Sequence, residues 1–233
     1  FAEILANRTI IYDVLDEPSI FADAGPALFA DHRKLLERAS LVLFSAEALK
    51  EKYSELCRNF LVIGNGVAVE DFIGARAHED NIPPRGELVT VGYHGAISEL
   101  LDLDLFFEIS QLENTELVIV GPVAAFDRAC KDDLDKKIER LKLQENVRFV
   151  GRIPYADLKD YLSELDVGLV PFIVGEATDA VSPLKLFEFI AAGKAVLATP
   201  TKTVSAFSDA INVSSAEEIL DQLRERNWKP VDL

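Results

Sequence analysis

Short, uninterrupted apolar and β-branched runs alternate along this chain with amphipathic stretches of helical period, and that alternation fixes its fold class. Residues 9–14 (Thr-Ile-Ile-Tyr-Asp-Val), 41–45 (Leu-Val-Leu-Phe-Ser) and 60–63 (Phe-Leu-Val-Ile) read as buried strands. Helical patterns near 26–39 and 46–56 lie between them, the second with Ser45 placed to cap it. A second series begins at Leu88, with strands expected at 88–93, 116–120, 147–150, 167–171, 195–199 and 211–213. Helices over about 102–112, 126–142, 155–164, 182–192 and 215–226 complete it. Strands spaced this way are parallel and joined by crossovers. The expectation is an α/β chain of two doubly wound parallel-sheet units, the N-terminal one incomplete.

The pattern breaks at Gly64-Asn65-Gly66-Val67, and the stretch up to residue 87 is rich in Gly, Pro and charge. This divides the chain into 1–66, an interdomain linker over 67–87, and a unit over 88–233. The chain opens at Phe1 and contains no Met, so it reads as a fragment of a longer protein. Its net charge of −16 argues against nucleic acid or an anionic membrane as the main partner. Cys57 and Cys130 share no motif and read as reduced, structural thiols. The three histidines (32, 78 and 94) show no metal-ligand spacing, so no metal is expected.

One stretch carries the most chemistry, Ser182-Pro183-Leu184-Lys185-Leu186-Phe187-Glu188-Phe189-Ile190-Ala191-Ala192-Gly193-Lys194. It reads as one short helix, with Ser182 as cap, Pro183 at the first helical position and Gly193 beyond the last turn. Leu184, Phe187, Ile190 and Ala191 fall at helical spacing and predict the buried stripe. Free N–H groups at a helix start, a Lys and a carboxylate one turn on suit a nucleoside diphosphate: phosphates at the positive end, ribose hydroxyls on the carboxylate. The same Lys–Glu spacing equally describes a surface pair.

Ligands of an open parallel sheet bind beyond the carboxyl ends of its strands. His94-Gly95-Ala96, Gly151-Arg152-Ile153 and the loop from 172 all fall there, as does Asp16 after the first strand. Gly92-Tyr93-His94-Gly95 lacks dinucleotide-fingerprint spacing, and no Walker sequence occurs. Taken singly, Gly95 and Gly151 read equally as tight turns, His94 as a polar turn residue, Arg152 as solvated, and Asp13 and Asp16 as turn caps.

Together these words resemble the retaining glycosyltransferases of the two-Rossmann-domain (GT-B) type, family 4, glycosyl transferases group 1. The resemblance rests on Gly64-Asn65-Gly66-Val67 with Phe72, on Tyr93-His94-Gly95-Ala96-Ile97-Ser98, on Asn146-Val147-Arg148-Phe149-Val150-Gly151-Arg152, and on Ser182 to Val196. It runs from residue 9 to about 226. It implies two Rossmann-like domains, a UDP- or GDP-sugar donor held by the C-terminal one, no cofactor, no metal, and a glycan or lipid-linked acceptor. Polysaccharide biosynthesis and a cytoplasmic place follow from it, with peripheral membrane contact through the absent N-terminal part. Glu188 matches the second Glu of the family's ribose-gripping pair. Ser182, Pro183, Leu184 and Lys185 match the helix start near the pyrophosphate, and Gly151, Arg152 and Ile153 the loop at the base. Gly95 and Ala96 match the loop lining the phosphates. Lys185 and Asp16 are the candidate catalytic residues.

Two departures stand out. The first Glu of the pair falls at Ala180, leaving Glu176, Thr178 or Asp179 as substitutes. The stretch Ser98-Glu99-Leu100-Leu101-Asp102 lacks the Arg and Lys that many members carry there. These departures also suit a nucleotide-binding but non-catalytic module. A sugar-nucleotide epimerase shares the fold but would need an acid/base set not visible here.

Overall fold

The computed structural model describes residues 8–21, 24–73, 82–83 and 86–231 of the chain. Three strands, β1 (Ile11–Val14), β2 (Leu41–Phe44) and β3 (Phe60–Val62), form a parallel sheet in that order. Helices α1 (Pro26–Arg38) and α2 (Glu47–Tyr53) make its crossovers. Its burial is one-sided: Val14, Val42 and Phe44 are buried, whereas Ile11 is 63% exposed.

The second sheet holds β4 (Val89–His94), β5 (Thr115–Val120), β6 (Val147–Gly151), β7 (Val167–Val170), β8 (Ala195–Ala198) and β9 (Asn212–Val213). All its pairs are parallel, in the order β6-β5-β4-β7-β8-β9. The crossovers include α3 (Leu103–Ser110), α4 (Lys131–Lys142), α5 (Leu158–Ser163) and α7 (Leu184–Ala191), and α9 (Ala216–Glu225) ends the unit. Chain order reverses between β4 and β7, which makes their carboxyl ends the topological switch point. Two single-turn helices, α6 (Glu176–Asp179) and α8 (Lys202–Ser205), were not expected from the sequence. The expected linker falls partly outside the described residues, at 74–81 and 84–85.

Several boundaries differ from the sequence reading for identifiable reasons. Ser45 does not cap α2: its hydroxyl donates to the Leu15 carbonyl at 2.6 Å, and Ala46 holds the cap position. Helix α4 starts at Lys131 rather than 126, because Glu99 accepts the backbone N–H groups of Phe126 and Asp127. Helix α7 starts at Leu184. Pro183 is its cap residue in extended conformation, and Ser182 makes no side-chain cap. The buried stripe is therefore Leu186, Phe189 and Ala191, and Leu184 is 51% exposed.

Gly168 sets how closely that helix approaches the sheet, and Gly92 makes room for Leu165 beside it. Gly92 of β4 stands in register with Gly168 of β7. A Cβ on Gly168 would fall 2.4 Å from the Phe189 ring, and one on Gly92 would fall 2.1 Å from a Leu165 methyl. Packing also crosses the boundaries drawn along the sequence. Phe72, at 1% exposure, packs in the core of the larger unit, and Ala180, at 5%, in the core of the smaller. Gly168→Ala is expected to lower stability by about 1–3 kcal/mol through overpacking, read as a lower urea midpoint at unchanged m-value.

Candidate functional site

Strands β4, β5 and β6 each end on or beside a glycine of positive φ: Gly95 at 120°, Gly121 at 140° and Gly151 at 79°. The three turns interlock. Gly95 N–H donates to the Val120 carbonyl at 2.9 Å, and Gly121 N–H to the Gly151 carbonyl at 2.8 Å. A Cβ on Gly121 would lie 2.0 Å from the Gly95 carbonyl oxygen, so only glycine fits that crossing. Bonds from Ile97 N–H to the Pro122 carbonyl and from Ala124 N–H to the Ile97 carbonyl, both 2.9 Å, carry the lacing outward.

Lys185 projects from the first turn of α7 over this backbone. Its Cε would sit 3.1 Å from a Cβ on Gly95, so the glycine is also what makes room for the lysine. The ammonium lies between two aromatic rings, 5.0 Å from the Tyr93 centroid and 4.8 Å from that of Phe172. Burial draws its pKa down to about 8, against the opposing pull of Glu188. Tyr93 is held by a 2.6 Å bond from its hydroxyl to the Ala96 carbonyl, and burial raises its phenol.

Glu188 is buried one turn further along α7. Burial raises its pKa, while Tyr155 and Lys185 favour the ionised form. His94 Nε2 stands 3.5 Å from a Glu188 oxygen and has no hydrogen-bond partner among the described residues. Burial, with Lys185 close by, drives the imidazole pKa down to about 3, so His94 is neutral at pH 7. Its ring lies edge-on to Phe189 at 4.7 Å. Burial and the neighbouring Glu188 hold the Tyr155 phenol up at about 12.

The structure thus gathers Lys185, Glu188, Gly95, Ala96 and the Ser182-Pro183-Leu184 entry to α7 at the switch point, together with His94. His94 is the last residue of β4 rather than a turn residue, and its place directly after the β-branched run Val89-Thr90-Val91 and Tyr93 was the signal. Tyr155 gave none. Arg152 is exposed and forms no ion pair among the described residues, with Gly151 and Ile153 beside it in the same loop. Asp179 accepts the Lys202 backbone N–H at 2.8 Å and so caps α8. Glu176 is paired with Lys52 at 2.8 Å, and the Thr178 hydroxyl bonds backbone carbonyls of its own loop. Asp16 lies half-buried at the exit of β1, its carboxyl pushed up by burial, with no bond to Lys185 among the described residues. No group of three or more metal-ligating side chains occurs among the described residues, and no described helix is long and apolar enough to cross a membrane.

The family model for glycosyl transferases group 1 matches residues 89–225. A curated relative from Bacillus subtilis (strain 168), described as "Putative teichuronic acid biosynthesis glycosyltransferase TuaH", is 29% identical over 178 residues, 74% of this chain and 43% of its own length. Among solved structures, Anabaena Alr3699/HepE in complex with UDP and glucose superposes with a TM-score of 0.69 at 18% identity, over 96% of this chain and 63% of that one. Sucrose-phosphate synthase from Thermosynechococcus elongatus gives 0.72 at 16% identity, over 94% and 58%. At such identities the likeness establishes the fold, the two-sheet GT-B arrangement. The chain spans under two thirds of the length of these relatives.

Lys185 is held charged in a slot that disfavours charge. Its folded pKa lies below its ordinary value, so the penalty is fully present below pH 8 and disappears as pH rises towards the ordinary lysine range. Lys185→Met should therefore stabilise the free chain at pH 7 by about 1–2 kcal/mol, with the gain shrinking by pH 10 in paired thermal melts.

Proposed function

Because the chain belongs to the glycosyl transferases group 1, we propose that it carries the donor site of an enzyme moving a sugar from a nucleoside-diphosphate sugar, of UDP or GDP type, to a glycan or lipid-linked acceptor. The reaction proceeds with retention and without a metal. The observation that carries this reading is Lys185, buried between Tyr93 and Phe172 against Gly95, with Glu188 buried one turn behind it. The UDP and glucose in the HepE structure support the donor class, and the teichuronic acid role named for TuaH supports a polysaccharide-directed acceptor.

The chemistry follows from charge and position. As the glycosidic bond to the donor breaks, negative charge gathers on the leaving diphosphate. The Lys185 ammonium and the free N–H groups at the start of α7 are already aimed there, in a slot where water screens little. Gly95 and Ala96 line the phosphates with backbone rather than long side chains, and Gly121 packs behind Gly95. Glu188 accepts from the ribose hydroxyls and fixes the nucleoside, while Gly151, Arg152 and Ile153 border the base. Asp16, half-buried at the exit of β1, is the carboxylate this reading assigns to the acceptor hydroxyl. Positioning supplies the remaining acceleration.

Calorimetric titration with UDP, GDP and ADP, without added metal, tests the reading. One diphosphate is expected to bind in preference. Glu188→Ala should weaken it ten- to hundredfold, the about 1.5–3 kcal/mol of hydrogen bonds to a charged group. Equal binding by parent and variant would remove Glu188 from the site.

The pH profile is a second check. Lys185 is the cation below pH about 8 and neutral above it. Diphosphate affinity should hold between pH 7 and 8 and then fall, by at most about tenfold per pH unit for loss of one proton. Lys185→Gln should bind weakly and with a flat profile over the same range.

A further inference from the structure

We infer that Asn65 is a positioning residue for the diphosphate site, acting from the end of the smaller unit on the entry to α7 that carries Lys185; the inference rests on the donor-site reading above. The Asn65 Nδ2 donates to the Ser182 carbonyl at 2.7 Å, across 117 residues of sequence. That carbonyl lies before the helix and precedes Pro183, which has no N–H and caps α7 in extended conformation. It therefore has no place in the helical ladder, and the half-buried carboxamide is the partner that fixes its direction.

The other end of the segment leading to it is anchored on the same side. Glu176 there pairs with Lys52 Nζ at 2.8 Å. Lys52 is steadied in turn by buried Glu17 at 3.3 Å, and Glu17 accepts the Tyr53 hydroxyl on both oxygens at 2.8 Å. Between the two anchors, Ala180 is packed into the core of the smaller unit. Residues 176–182 thus belong to the larger unit by sequence, where Asp179 holds the start of α8, and are gripped at both ends by the smaller unit. Lys185 follows three residues after the Asn65 anchor. Its ammonium stays in an unfavourable slot only while the backbone before it is held, so freeing Ser182 lets the side chain swing into water and out of register with the phosphates.

A double-mutant cycle on diphosphate binding reads this coupling. Asn65→Ala should weaken binding of the preferred diphosphate about five- to twentyfold. In a Lys185→Gln background the same change should weaken it less than twofold, because the group it positions is gone. Lys52→Gln, at the far anchor and partly exposed, should show the same dependence at smaller size, and it carries the test if Asn65→Ala does not fold. Equal losses in both backgrounds, or none in either, overturn the inference while leaving the donor site standing. A folded parent that binds no diphosphate overturns both.

Discussion

Everything at the site depends on how closely α7 stands to β7. Gly168 has no side chain, so the Phe189 ring occupies the space a Cβ would fill. The helix sinks to that depth and takes Glu188 below the surface with it. The same approach lays Lys185 across Gly95 rather than out into water. A larger residue at 168 would lift the whole helix, and the cation, the carboxylate and His94 would part company together.

The local electrostatics are arranged at the expense of the empty protein. A lysine between two rings, a carboxylate raised by burial and a histidine kept neutral with an orphan nitrogen are each unfavourable alone. Such groups persist where an incoming ligand completes them. A diphosphate would add to the counter-charge that Glu188 gives Lys185, and sugar hydroxyls would add donors to Glu188 beside Tyr155. The neutral His94 adds no competing charge beside either.

Much of this was readable in the sequence because it was local. Parallel strands buried on both faces leave continuous apolar runs, and β4, β5, β7 and β8 were visible for that reason. Gly95, Gly151 and Gly193 announced positive φ at chain reversals. Single-turn helices such as α6 and α8 are too short for a periodicity to show. The stripe on α7 was assigned to Leu184 and Phe187 because spacing alone permits several faces. Tertiary packing on Gly168 chose Leu186 and Phe189, and buried a carboxylate that periodicity places anywhere. Side-chain bonds reaching across the chain, from Asn65 to Ser182 or Lys52 to Glu176, leave no trace in either local stretch.

The packing of Phe72 and Ala180 into the two cores has a consequence for how the chain comes apart. The larger unit takes Phe72 of the linker into its interior, and the smaller takes Ala180 from the larger unit's segment. Neither can open without exposing apolar surface in its neighbour, so disruption at one end is felt at the other. The boundary drawn along the sequence is therefore not a boundary in packing, and loosening either core is expected to loosen its neighbour.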